Sequence, residues 1–172
     1  MNPKSTVEPL NGPALARAID RLASIDPDIG AAVLRIGYPI PRLRPPGFAT
    51  LLRIMVSQQV STRSAAAIWG RLETACDHQP KPEGFLALDD AALRAIGLSG
   101  RKMDYGRGLA RALVDGALDL DGLADLPEED AIVELCRLKG FGRWSAAIYL
   151  LFALSRTDSF PADDLALQIG MQ

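Results

Sequence analysis

Apolar residues recur at helical spacing along almost the whole chain, and the runs are broken by proline, glycine or polar clusters. Leu15, Ile19 and Leu22 share one face of 13–25, which Pro13 opens as a first-turn residue. Pro27 ends that stretch or opens the next, 28–37. Residues 38–47 hold four prolines and cannot be a helix interior, so they read as a crossing between two lobes. Helices are expected over 48–57 and 62–76, separated by Gln58-Gln59-Val60, with Ser61 as N-cap. Residues 77–84 read as a polar loop. Asp89 or Asp90 caps a helix over 91–96 that Gly97 closes. Ser99 caps another over 101–116, where Gly106 and Gly108 lower propensity and suggest close helix packing. Pro127 opens 128–138, with acids in the first turn where the helix dipole favours them. A further apolar helix spans 143–154, and 161–164 opens a last one. No alternating run of strand length and no internal repeat appears. The pattern predicts an all-α protein over 1–172, one domain or two small lobes sharing a core.

Composition narrows the function classes. Of 172 residues, 48% are apolar and 23% charged, which excludes wholesale disorder. Two cysteines, Cys76 and Cys136, cannot supply a four-cysteine metal or iron–sulfur site, and they favour a reducing compartment. The longest apolar run, about 146–154, is too short to cross a bilayer, and the N-terminus lacks the apolar core of a signal peptide. A protein of a reducing compartment that touches no membrane is therefore expected. His78, the single histidine, lies in the polar loop and reads as surface, so neither histidine catalysis nor a zinc site is expected.

The net charge of −2 argues against non-specific nucleic-acid binding, but charge is unevenly placed. Residues 35–107 carry eleven bases and six acids, whereas 115–134 carry eight acids and no base. A basic central segment thus lies beside an acidic one.

The most specific string is Leu138-Lys139-Gly140-Phe141-Gly142-Arg143-Trp144-Ser145-Ala146, in which one helix runs into Gly-x-Gly and the next starts at once. Glycines there permit positive φ and a tight turn. Such a turn aims free N–H groups outward at a helix N-terminus, an arrangement that binds phosphate. Lys139 and Arg143 add positive charge.

This string resembles the helix–hairpin–helix of DNA-repair glycosylases. The chain as a whole resembles the 3-methyladenine DNA glycosylase II family within that superfamily. The residues that carry the likeness are IMVSQQVSTRSAAAIWGRL at 54–72, GLSGRKMDYGRGLARAL at 97–113, the hairpin, and FPADDLALQIG at 160–170. The resemblance implies a two-lobed helix–hairpin–helix core and a monofunctional glycosylase that hydrolyses the N-glycosidic bond of alkylated bases of the 3-methyladenine or 7-methylguanine type. It implies a cytoplasmic, nucleoid-associated protein of bacterial type that acts as a monomer on double-stranded DNA, by flipping the damaged base. Two other readings stay open: a non-catalytic DNA-binding module, and a glycosylase for uracil or oxidised bases.

The resemblance also assigns roles. Asp164, 22 residues after Gly142, takes the place of the catalytic carboxylate, although an Asp there also suits a simple N-cap. An ionised acid facing the sugar stabilises an oxocarbenium-like transition state and orients water. Trp144 stands where bifunctional relatives carry a Schiff-base lysine, and its π-face suits a cationic base, unless it merely packs in the core. Ile148 stands where some members add an aromatic, next to Tyr149, and Tyr38 and Phe48 lie near the lobe crossing. Gln59 matches the wedge that fills the gap left by the flipped nucleotide, with a solvated loop amide as the plainer alternative and Gln58 as a backbone brace. Lys139, Gly140, Phe141, Gly142, Arg143 and Ser145 form the phosphate grip. The carbonyls of Cys136, Leu138 and Phe141 match a structural Na+ or K+ site, and no cofactor is required for the chemistry. Against the family pattern, this sequence starts almost directly with the helical core, without the β-rich N-terminal domain of some members, and stops eight residues after Asp164, where further C-terminal helices are expected.

Overall fold

The computed structural model describes residues 12–170, and every regular element among them is helical. Helices α1 (Gly12–Ile25) and α2 (Pro27–Ile36) pack against each other. The Asp26 side chain accepts from the N–H groups of Asp28 and Ile29 and caps α2, with Pro27 in the first turn. Neither helix buries a residue fully, and Ile25, Leu34, Ile36 and Ile40 stand exposed. The proline-rich crossing lacks helix, as its sequence requires. It is pinned to the core by Arg44 N–H donating to the Phe152 carbonyl and by Gly47 N–H donating to the Tyr149 hydroxyl, 2.9 Å each.

Helix α3 (Phe48–Ser57) is the axle of the core. Leu51, Leu52, Met55 and Val56 are fully buried, and α4 (Thr62–Ala75), α7 (Gly100–Val114) and α9 (Arg143–Phe152) surround it. Each such side chain contributes about 1.5–3 kcal/mol on leaving water. Ser61, Asp89 and Ser99 cap α4, α6 (Asp90–Ile96) and α7 with side-chain bonds to backbone N–H groups.

The structure corrects the polar loop. Pro82, expected to continue a loop through residue 84, occupies the first turn of α5 (Pro82–Ala87), which buries Phe85. That ring explains one glycine of α7: a Cβ on Gly106 would fall 2.6 Å from Phe85 Cζ. Gly108 has open space where a Cβ would stand, so close packing accounts for Gly106 alone. The acidic stretch holds a short 3₁₀ turn, Gly122–Ala124, before α8 (Glu128–Cys136). Arg156 gathers it by donating to the carbonyls of Leu123, Ala124 and Leu126. The last helix, α10 (Leu165–Gly170), starts after the 161–164 turn. No helix among the described residues is long and apolar enough to cross a membrane.

Candidate active site and nucleic-acid interface

Between α8 and α9 the chain turns within 138–142. Phe141 N–H donates to the Leu138 carbonyl at 3.0 Å, and Phe141 is itself buried, anchoring the turn. Gly140 has φ +92, and a Cβ there would lie 2.1 Å from the Tyr105 ring, so both backbone and space demand glycine. Gly142 is different. It is the extended N-cap of α9 with φ −112, and a Cβ there would meet nothing within 4 Å. The expectation of two conformationally required glycines thus holds for one.

Gly142 supplies no side chain to cap α9, and the N–H groups of Arg143, Trp144 and Ser145 find no acceptor among the described residues. These donors form the anion-seeking end of the hairpin. Lys139 is exposed beside them, with no ion pair among the described residues. Arg143 is not free: its guanidinium makes a two-pronged pair with Glu129, at 2.5 and 2.8 Å, which pushes its pKa up. The Ser145 side chain is buried and faces inward, so only its N–H is available outward.

Asp164 caps α10. Its Oδ1 accepts from Ala166 N–H at 2.9 Å and Leu167 N–H at 3.2 Å, while Oδ2 accepts from the Trp144 indole N–H at 2.7 Å. The Trp144 bond, helped by the two backbone donors and opposed by slight desolvation, holds the carboxyl below the usual aspartate range. The capping and acid roles are therefore compatible, since both keep the group ionised.

Asp164, Asp163, Trp144 and Gln59 line one cleft of about 490 Å³, together with Ser57, Gln58, Leu165 and Ala166. Gln59 is an exposed turn residue with φ +55, a conformation that non-glycine residues seldom adopt. Gln58 braces the turn, its amide donating to the Gly140 carbonyl and to Ser145 Oγ. Ile148, one turn along α9, packs against the core and is not part of the cleft lining. Tyr149 is fully buried and serves the crossing, and Tyr38 bonds Asp20, so neither lines it. Among the described residues, no lysine lines this cleft.

Three participants escaped the sequence reading. Glu129 pairs with Arg143 across 14 positions, while from α7 Lys102 reaches the Gln58-Gln59 turn and Tyr105 reaches the hairpin. The spacing of Lys102 and Tyr105, three apart on a helix that Ser99 caps, put them on one face, but nothing local told which neighbour that face meets. Among the described residues, no group of three or more His, Cys, Asp or Glu side chains is placed to hold a metal.

The family model for HhH-GPD superfamily base excision DNA repair proteins matches residues 52–172. DNA-3-methyladenine glycosylase 1 of Schizosaccharomyces pombe is 35% identical over 126 residues, covering 72% of this chain and 55% of that protein. DNA-3-methyladenine glycosylase 2 of Escherichia coli is 28% identical over 98% of this chain and 64% of its own length. The chain thus spans little more than half the length of the first of these and under two thirds of the second. Among solved structures, the S. pombe 3-methyladenine DNA glycosylase in complex with abasic DNA superposes with a TM-score of 0.82 at 31% identity, over 90% of this chain and 78% of that one. A DNA-3-methyladenine glycosidase from Bacillus halodurans gives 0.73 at 31% identity, over 88% and 70%. With that family model matched over residues 52–172, the chain belongs to the HhH-GPD superfamily of base excision DNA repair proteins.

Proposed function

We propose that the protein is a monofunctional DNA glycosylase that hydrolyses the N-glycosidic bond of alkylated bases, of the 3-methyladenine and 7-methylguanine type, in duplex DNA. The observation that carries this reading is the cleft itself. A site lined by no lysine among the described residues holds an ionised, doubly anchored Asp164 against Trp144, with Gln59 at its rim. The relatives named for 3-methyladenine glycosylase activity support the substrate class.

In this reading the hairpin N–H groups and Lys139 grip a backbone phosphate while Gln59 enters the duplex and fills the space of the extruded nucleotide. Trp144 offers its ring to the base, whose positive charge in N-alkylated purines suits a π-face. As the glycosidic bond lengthens, positive charge grows on the sugar, and the Asp164 carboxylate stabilises it and directs a water to the anomeric carbon. Trp144 cannot form a Schiff base, so the strand stays intact.

The carbonyls of Cys136, Leu138 and Phe141 would supply the hard oxygen ligands that suit Na+ or K+. Those of Cys136 and Phe141 accept no bond in the turn, whereas that of Leu138 already takes the Phe141 N–H and would be shared. A bound cation would fix the hairpin; the chemistry itself is assigned to Asp164 and water.

The test is release of free 3-methyladenine or 7-methylguanine from methylated duplex DNA by the purified chain. Release with an unbroken strand is expected. No release, or strand cleavage at the lesion without added base, overturns the reading.

A further inference from the structure

Two tethers meet at the turn between α3 and α4. From α7, the Lys102 ammonium donates to the carbonyls of Val56 at 2.7 Å and Gln58 at 2.8 Å. From the turn, the Gln58 amide donates to the Gly140 carbonyl at 3.0 Å and Ser145 Oγ at 2.9 Å. One helical turn beyond Lys102, the Tyr105 ring fills the space that a side chain on Gly140 would need. The same face of α7 therefore touches both the QQ turn and the hairpin, and a groove of about 530 Å³ lined by Gln58, Gln59, Lys102, Tyr105 and Gly140 runs between them.

The Lys102 contact falls on a strained point. The Gln58 carbonyl belongs to the peptide that leads into Gln59, whose φ is +55. A non-glycine residue stays in that region only where its surroundings over-determine it. A cation on the last carbonyls of α3 also meets the negative end of the helix dipole, which favours its charged form there even though partial burial opposes it.

We propose that Lys102 is a positioning residue for strand insertion: by clamping the Val56 and Gln58 carbonyls it holds Gln59 at a fixed reach from the phosphate-gripping hairpin. This rests on the glycosylase reading above. Grip and insertion are then separable. The hairpin binds any duplex, whereas preference for a duplex with a gap in its stack depends on where Gln59 stands. A merely electrostatic role for Lys102 would weaken binding to both duplexes alike, and a merely structural role would show in unfolding.

The experiment uses the whole chain and two probes, a duplex containing a tetrahydrofuran abasic site and the same duplex undamaged, with 2-aminopurine opposite the abasic position as an insertion reporter. Wild type is expected to prefer the abasic duplex. Lys102→Met is expected to lose about tenfold of that preference and most of the 2-aminopurine response, with undamaged-duplex affinity kept within about twofold. The double variant Lys102→Met/Gln59→Ala is expected to be no worse than Gln59→Ala alone, because both act at one step. Gln58→Leu cuts the other tether and is expected to give the same loss, which keeps the test available where Lys102→Met does not fold. Retained preference in Lys102→Met, or equal loss on both duplexes, overturns the assignment of Lys102 alone. A wild-type chain with no preference for the abasic duplex overturns the glycosylase reading and this one with it.

Discussion

The indole N–H of Trp144 donates to Asp164 Oδ2 across 2.7 Å, tying the first turn of α9 to the N-cap of α10. The other carboxylate oxygen is held by the N–H groups of Ala166 and Leu167. An acid anchored through both oxygens has one orientation to offer, which in the proposed reaction would lessen the reorganisation that accompanies bond breaking.

Trp144→Phe keeps the aromatic face and removes the donor. The Asp164 pKa is held below the ordinary aspartate value chiefly by that donor, so it rises in the variant. In wild type, base release is expected to hold steady as pH falls from neutrality until it passes below about 4, the unperturbed aspartate value. In Trp144→Phe the acidic limb moves upward, and release at neutral pH falls by about tenfold as the carboxylate loses its orientation. A pH–rate profile under single-turnover conditions checks both. An unmoved limb would contradict the assigned partnership.

Glu129 holds the Arg143 guanidinium in a paired state beside the uncapped N–H groups of the α9 N-terminus. Removing it in Glu129→Ala frees a cation for DNA, so undamaged-duplex affinity at low salt is expected to rise. The slope of log affinity against log salt should steepen by about 0.9, the value for one more neutralised phosphate. Fluorescence anisotropy at several salt concentrations reads this directly. Since the pair is exposed, little change in stability accompanies it.

Gly140→Ala and Gly142→Ala should part company. The first meets the Tyr105 ring at 2.1 Å with φ +92, and a loss of about 2 kcal/mol or more is expected. The second meets open space in an extended conformation and should leave stability within about 0.5 kcal/mol. Urea unfolding of the two variants side by side makes the comparison.

Tyr149→Phe leaves the Gly47 N–H without its 2.9 Å acceptor at the end of the crossing. A cost of about 1 kcal/mol is expected, because the hydroxyl is lost from a buried site while part of Gly47 remains open to water. Chemical denaturation measures it.

The helices and their caps were legible because their signals are local. Ser61 before α4, Ser99 before α7 and the four prolines of 38–47 act through neighbouring backbone alone. The family of the chain was legible from the hairpin string and the acid 22 residues beyond it. Helix α5 was missed because its prolines and polar residues weigh toward loop, whereas burial of Phe85 against Gly106 decides the outcome. Arg143 read as a free phosphate ligand, yet Glu129 claims it through a pairing that only the packing of α8 on α9 brings about. Lys102 was invisible for the same reason: its partners, Val56 and Gln58, are backbone carbonyls 46 and 44 positions away and leave no side-chain signature.

The central claim is that Asp164 drives base release. The most direct measurement is single-turnover excision of 3-methyladenine or 7-methylguanine from methylated duplex by wild type and by Asp164→Asn. The substitution keeps the cap and the shape while removing the charge. Release by wild type, a fall of at least about 100-fold in Asp164→Asn, and unchanged affinity for undamaged duplex are expected. Equal release by the two proteins would contradict the account.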